Sequence, residues 1–259
     1  MSLTGKTLAN TYKDLLQVDN SNSGLTTSLK IVKDGEGTSS ALQICDDGVA
    51  IRPQNDDTTL AFGVFTSGLT GVLSVDTTNQ LVYASGNIAN TQYATFGLSS
   101  GSAALLANTH YAIPFSNQML QLDEMAFGTG TDPATTFTTA EGTATRSAEL
   151  VPVMWYVPDN ISIDAVTSIE GADTATGDTT RMHLFSYTFT SGSTSALTSG
   201  TLLAHNSDVT NAGSEQAYLT SWTVDSAAVT AGKVILAFFR SDSVNSDYSV
   251  SITVKYHLT

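Results

Sequence analysis

Gly97-Leu98-Ser99-Ser100-Gly101 is the sharpest catalytic pattern in this 259-residue sequence, a G-x-S-x-G run of the kind that exposes a nucleophilic serine on a strand-to-helix elbow. That chemistry requires a helix after Ser99, then an acid and a histidine along an alternating β/α chain. Residues 102–107 offer at best one or two helical turns and no alternating β/α units follow, so the run reads as an interdomain turn. Gly5-Lys6-Thr7 ends like a phosphate-binding loop but lacks the earlier glycine and a preceding strand. Gly35-Glu36-Gly37 begins like a dinucleotide fingerprint, yet Ser40 stands where the third glycine belongs, leaving a tight turn. His110, His183, His205 and His257 show no H-x-x-x-H spacing, and the single Cys45 forms neither a zinc cluster nor an intrachain disulfide. Cys45 closes the apolar run Ala41-Leu42-Gln43-Ile44-Cys45 and is expected to act as a small buried apolar residue.

Carboxylates are the remaining reactive class. Asp46-Asp47, Asp56-Asp57 and the acidic stretch 173–178 supply oxygen ligands of the kind Ca²⁺ takes, but none follows the EF-hand template, and solvated turns are the expectation. Asp123 and Glu124, adjacent in the chain, would point to opposite faces of a strand and so do not form the paired carboxylates of a glycosidase. The sequence thus predicts no catalytic residue, no metal and no cofactor. Trp155, Tyr156 and Trp222 are candidates for stacking on a receptor glycan, although large aromatics, like the alternating Phe185, Tyr187 and Phe189, usually fill a core or a subunit interface.

The elements that would carry these residues are almost all strands. Leu8, Tyr12, Leu15 and Leu16 fall at i, i+4, i+7 and i+8, which predicts a short amphipathic helix over residues 6–16 whose apolar stripe must dock on something. Residues 17–27 read as a polar linker, completing an N-terminal anchor over 1–27. From there to residue 98 the period becomes two, in short strands separated by turns such as Asp34-Gly35, Asp47-Gly48 and Thr77-Thr78-Asn79, the Asp-Gly pairs tolerating positive φ. Strands this short build no thick monomeric core, so the region 28–98 is expected to be a trimeric β shaft in which three chains pool their apolar faces. Residues 99–259 carry longer strand patterns at 151–157, 161–169, 181–190, 217–224, 233–240 and 247–258, with loops such as 171–180 and 191–200. In the last strand Tyr248, Val250, Ile252, Val254, Tyr256 and Leu258 alternate strictly with polar residues, Lys255 and His257 among them. An antiparallel, jelly-roll-like β-sandwich head is expected.

Charge narrows the partners. Ten Lys+Arg against 24 Asp+Glu give a net −14, a sign that repels nucleic acid and anionic membranes. No run approaches the roughly 18 apolar residues of a membrane span, and the first residues lack the apolar core of a signal peptide, so synthesis in a cytoplasm and no membrane insertion are expected.

Residues 11–51, TYKDLLQVDNSNSGLTTSLKIVKDGEGTSSALQICDDGVAI, resemble the N-terminal part of fibre-like virion proteins of tailed bacteriophages. VLSVDTTNQLVYASG (72–86), NTQYATFG (90–97), ANTHYAIPF (107–115) and RSDSVNSDYSVSITVKYHL (240–258) are similar to structural proteins of marine phages. The resemblance implies a non-enzymatic homotrimeric tail fibre, capsid-associated fibre or knob-like appendage, joined by its N-terminal region to tail, portal-proximal or capsid proteins. It also implies two neighbouring roles, an adhesin for a host surface glycan and a capsid decoration protein.

Overall fold

The computed structural model describes residues 15–21, 23–98, 106–116, 126–138, 150–173, 177–194, 196–212, 216–242 and 247–259. Their regular structure is almost all β, in antiparallel sheets, as the sequence predicts, and the chain divides into two compact units, Met1–Asn90 and Thr91–Thr259. No helix among the described residues is long and apolar enough to cross a membrane.

The first unit contains two four-stranded meanders. Strands β1 (Gln17–Val18), β2 (Lys30–Lys33), β3 (Ser39–Ile44) and β4 (Val49–Ile51) pair in chain order. Strands β5 (Phe62–Phe65), β6 (Gly71–Asp76), β7 (Leu81–Ala84) and β8 (Asn87–Ile88) do the same. Their turns close by local polar bonds. The Asp34 carboxylate accepts the amides of Glu36 and Thr38, which hold its pKa below the usual carboxylate value. The left-handed residue of that turn is Gly37 at φ +90°, not the Asp34-Gly35 pair, and neither Asp47 nor Gly48 takes a positive φ. The expectation that Asp-Gly supplies those conformations is therefore corrected. Ser85 and Gly86, at φ +49° and +81°, form the two-residue β7–β8 turn whose paired positive φ values match the twist of a hairpin.

The second unit is built from β9 (Thr91–Leu98), β10 (Tyr111–Ile113), β11 (Trp155–Tyr156), β12 (Ile161–Asp173), β13 (Thr179–Phe189), β14 (Leu197–His205), β15 (Val209–Thr210), β16 (Gln216–Ser221), β17 (Thr223–Val224), β18 (Ala228–Val229), β19 (Lys233–Ser241) and β20 (Asp247–Leu258). One sheet runs β16-β12-β20-β9 and the other β10-β19-β13-β14-β17. If the short strands β11, β15, β17 and β18 are set aside, eight strands remain. The first sheet then reads first, eighth, third, sixth in chain order with its direction reversed, and the second reads second, seventh, fourth, fifth. That alternation between sheets is the jelly-roll connectivity.

Several expected boundaries move. Strand β9 pairs along its whole length with β20, so it belongs to the second unit and the break falls at Asn90 rather than at residue 98. Pro152 lies in a 3-10 turn, Val151–Val153, leaving only Trp155–Tyr156 of the predicted strand 151–157. The predicted strand 217–224 splits at Trp222, β16 staying in one sheet and β17 joining the other. The segment around Gly200, expected to be loop, lies within β14.

Packing explains the sequence of β19. Ile235, Ala237 and Phe239 face the core between the sheets, together with Phe96, Ile163, Met182, Leu184, Ile252 and Val254. Val234, Leu236 and Phe238 face a second core on the outside of the same sheet, covered by Phe127, Phe137, Leu150 and Val153. A strand buried on both faces needs a continuous apolar run rather than alternation. Val250, Ile252 and Val254 of β20 instead alternate with Ser249, Ser251 and Thr253, as predicted for a sheet with one wet face. His257 departs from that pattern: it is buried, with Nδ1 2.8 Å from the Asp164 carboxylate.

Candidate functional site

Apolar surface without a core distinguishes the first unit. Val32 is its single buried apolar residue among those described, whereas the second unit buries dozens of side chains in its two cores. The register of the second meander places Phe62, Val64, Leu73, Val75, Val82 and Ala84 on one face. Phe62 pairs with Val75 and Val75 with Val82, while Val64 pairs with Leu73 and Leu73 with Ala84. Paired residues share a face of an antiparallel sheet. Phe62, Val64, Leu73 and Val82 on that face remain 41%, 44%, 36% and 41% exposed.

The first meander repeats the pattern. Val18 pairs with Val32, Ile44 with Val49 and Leu42 with Ile51, giving a second face of aliphatic side chains on which Val49 and Ile51 are exposed. Lys30, opposite Ile44, is the basic exception on this face. Two-layer packing would bury both faces, yet Phe62, Val64, Leu73 and Val82 on one and Val49 and Ile51 on the other stay exposed, and small isolated sheets are marginal in water. Contiguous exposed apolar surface of this kind marks a place where another polypeptide binds. Its chemistry is burial and edge hydrogen bonding; no nucleophile, base or metal-ligand set lies on either face.

The residues singled out in sequence fare unevenly. Leu15 and Leu16 are exposed and lead into β1 without forming a helix, while Leu8 and Tyr12 lie outside the described residues, so the helical stripe is not assembled in what is described. Trp155 is 7% exposed, lying parallel to Phe115 at 5.9 Å and against Tyr256 at 4.9 Å between ring centroids. Trp222 is equally buried and its indole N–H donates to Ser168 Oγ at 2.9 Å. Both indoles are core residues, which corrects their candidacy as receptor contacts. Tyr156, next to Trp155 but pointing the other way, is 58% exposed and alone of the three can meet a ligand.

Ser99 to Gly101 and the Asp123-Glu124 pair also lie outside the described residues. Cys45 is half-exposed in the β3–β4 turn, its thiol 3.4 Å from Asp47, rather than buried. With Asp46 it forms the one cluster of three potential metal ligands among the described residues, on an open hairpin. Sequence spacing missed a different pair: His110 and His183 are both buried, with ring centroids 5.0 Å apart. No known family model matches this chain, and no curated protein sequence matches it.

Proposed function

We propose that this chain is a non-enzymatic structural protein of a tailed-bacteriophage particle, a homotrimeric fibre or knob-like appendage in which the first unit assembles and the jelly roll projects. The observation that carries the assembly role is the exposure of apolar side chains on two sheet faces, Phe62, Val64, Leu73 and Val82 on one and Val49 and Ile51 on the other, in a unit with almost no core of its own. The phage context rests on the resemblance of residues 11–51 and the later segments, and the trimeric state on the same resemblance. Other virion proteins are the partners this reading assigns to residues 1–16.

A net charge of −14 on each chain suits a soluble surface protein and opposes nucleic acid binding. Tyr156 supports a secondary role in contacting a host glycan, since an exposed phenol beside a rigid core is a ready stacking surface.

Sedimentation and native mass measurement test the assembly claim directly. A species of three times the 27.1 kDa chain is expected, and a monomer at micromolar concentration sinks it. Deleting residues 1–16 should leave the trimer intact but prevent its incorporation into particles. Normal incorporation of the deleted protein overturns the attachment role.

A further inference from the structure

We propose that His110 and His183 form an acid-operated latch, which holds the arc 128–136 against the outer face of the jelly roll and releases it when the rings take up protons. The arc is the middle of a strap, residues 126–138, that covers the second core. Apolar burial fixes the two ends of the strap. Phe127 and Phe137 are 1% and 7% exposed, their rings stack at 4.5 Å between centroids, and Phe127 lies 4.7 Å from Phe238. Backbone bonds add to both ends, the Phe127 amide donating to the His110 carbonyl and Phe137 exchanging bonds with Leu197. Between these ends Pro133 alone is buried, and most of the arc is exposed. Polar contacts hold it down: the Gly130 carbonyl meets His110 Nε2 at 3.1 Å, Asp132 meets His183 Nε2 at 3.4 Å, and the Tyr187 hydroxyl and Gly200 amide donate to the carbonyls of Ala134 and Thr135.

Those partners set the tautomers. A carbonyl and a carboxylate accept, so each Nε2 carries its hydrogen and each Nδ1 is bare. Both Nδ1 atoms are buried with no partner, so an added proton arrives where nothing accepts it. Two imidazolium rings 5.0 Å apart would also repel. Burial is the largest influence and disfavours the proton on both rings. Of the charged groups that face the pair, Arg181 on β13, Arg240 on β19 and His205 on β14 oppose protonation of His183, while Asp132 on the strap favours it at His110. Two further carboxylates are already engaged, Asp208 by Nε and Nη2 of Arg181 and Asp225 by His205. The latched state therefore binds fewer protons than an open one. Closure is complete above about pH 6.5, the value of a solvated imidazole, and weakens as the pH falls below it. His110 is fully buried between the His183 ring and the strap, so water reaches its ring when the arc lifts. Because Phe127 and Phe137 stay anchored, the opening is local and leaves both sheets intact.

The test is amide hydrogen exchange on the full chain at a series of pH values from about 7 to about 5, corrected for the intrinsic exchange rate at each. Two amides report on the arc: that of Ala134, which donates to the Phe127 carbonyl, and that of Gly200, which donates to the Thr135 carbonyl. Their protection should fall by about ten-fold per pH unit for each histidine below about pH 6.5. The Phe137 amide and the ladder between β12 and β20 should keep theirs. His110→Gln and His183→Gln, in which a side-chain amide can replace the Nε2 donor without titrating, should each make the dependence about half as steep. His257→Gln, which alters a histidine paired with Asp164 in the other sheet, should leave it as in wild type. Protection at Ala134 and Gly200 that ignores pH, an equal loss across the arc and both sheets, or glutamine variants as steep as wild type overturns the proposal. If both glutamine variants fail to fold, wild type decides it, by whether these two amides become labile in acid while the β12–β20 ladder does not.

Discussion

His110 and His183 pack edge to face with ring centroids 5.0 Å apart, and each leaves its Nδ1 buried without a hydrogen-bond partner. Burial, and then the neighbouring His110, Arg181, His205 and Arg240, push His183 down to about 3, and burial lowers His110 as well. Their other nitrogens are engaged, Nε2 of His110 with the Gly130 carbonyl at 3.1 Å and Nε2 of His183 with Asp132 at 3.4 Å. The folded state therefore holds the pair neutral while the unfolded chain protonates near pH 6.5. Stability is complete above that value and falls as the pH drops from about 6.5 towards about 3, by up to about 1.4 kcal/mol per pH unit for His183. Urea midpoints measured between pH 7 and 5, above most carboxylate titration, should show the slope. His183→Gln should flatten it; an unchanged slope in that variant would falsify the assignment.

The three aromatic candidates should separate cleanly in a denaturation experiment. Trp155→Ala removes a buried indole and should cost about 3–5 kcal/mol. Trp222→Phe keeps most of the volume but strips Ser168 of its donor, for about 1–3 kcal/mol. Tyr156→Ala, on the surface, should stay within about 0.5 kcal/mol of wild type. A large loss for Tyr156→Ala or none for Trp155→Ala contradicts the packing described.

These outcomes separate what the sequence discloses from what only pairing reveals. Strand β20 is legible because one face is wet, so its residues alternate. Strand β19 is legible as a strand, but nothing in Val-Ile-Leu-Ala-Phe-Phe says that Val234, Leu236 and Phe238 turn to a second core, since that depends on what covers the outer face. Trp155 and Tyr156 are neighbours of similar type, and the alternation of a strand sends one in and one out; sequence offers no choice between them. The apolar faces of the first unit were legible only as short strands, because a face exists once Val75 is set between Phe62 and Val82. His110 and His183 are joined by the fold across a sequence separation that no spacing rule covers.

Strand β14 is hidden in the sequence by the glycine near its centre. Gly200 weakens the strand pattern, yet a Cβ there would lie 2.7 Å from the Tyr187 ring and 2.8 Å from Thr135 Cα. The segment around Thr135 is strapped to the sheet by the Gly200 amide donating to the Thr135 carbonyl and the Tyr187 hydroxyl donating to the Ala134 carbonyl, both at 2.8 Å. Gly200→Ala must displace that strap, at about 1–3 kcal/mol. Tyr187→Phe, which loses only the hydroxyl contact, should cost about 1 kcal/mol. Thermal melts rank the two, and an equal or reversed order counts against close approach as the reason for glycine.

The exposed face of β5 to β7 yields the test that bears on assembly. Completing the burial of Val64 or Val82, each about two-fifths exposed, stabilises an oligomer by about 1 kcal/mol per side chain. Val64→Asp or Val82→Asp replaces that gain with a desolvated carboxylate on every chain and should shift sedimentation from trimer towards monomer. Ser74→Asp, on the opposite face of β6, adds the same charge without touching the seam and should assemble normally. Near-ultraviolet dichroism of the buried indoles in the second unit should be unchanged in all three. Because each chain brings −14, the proposed trimer should also strengthen as salt shortens the screening length to about 10 Å at 0.1 M. A melting temperature indifferent to ionic strength counts against the trimer, and an assembly state indifferent to Val64→Asp and Val82→Asp removes this face from the interface.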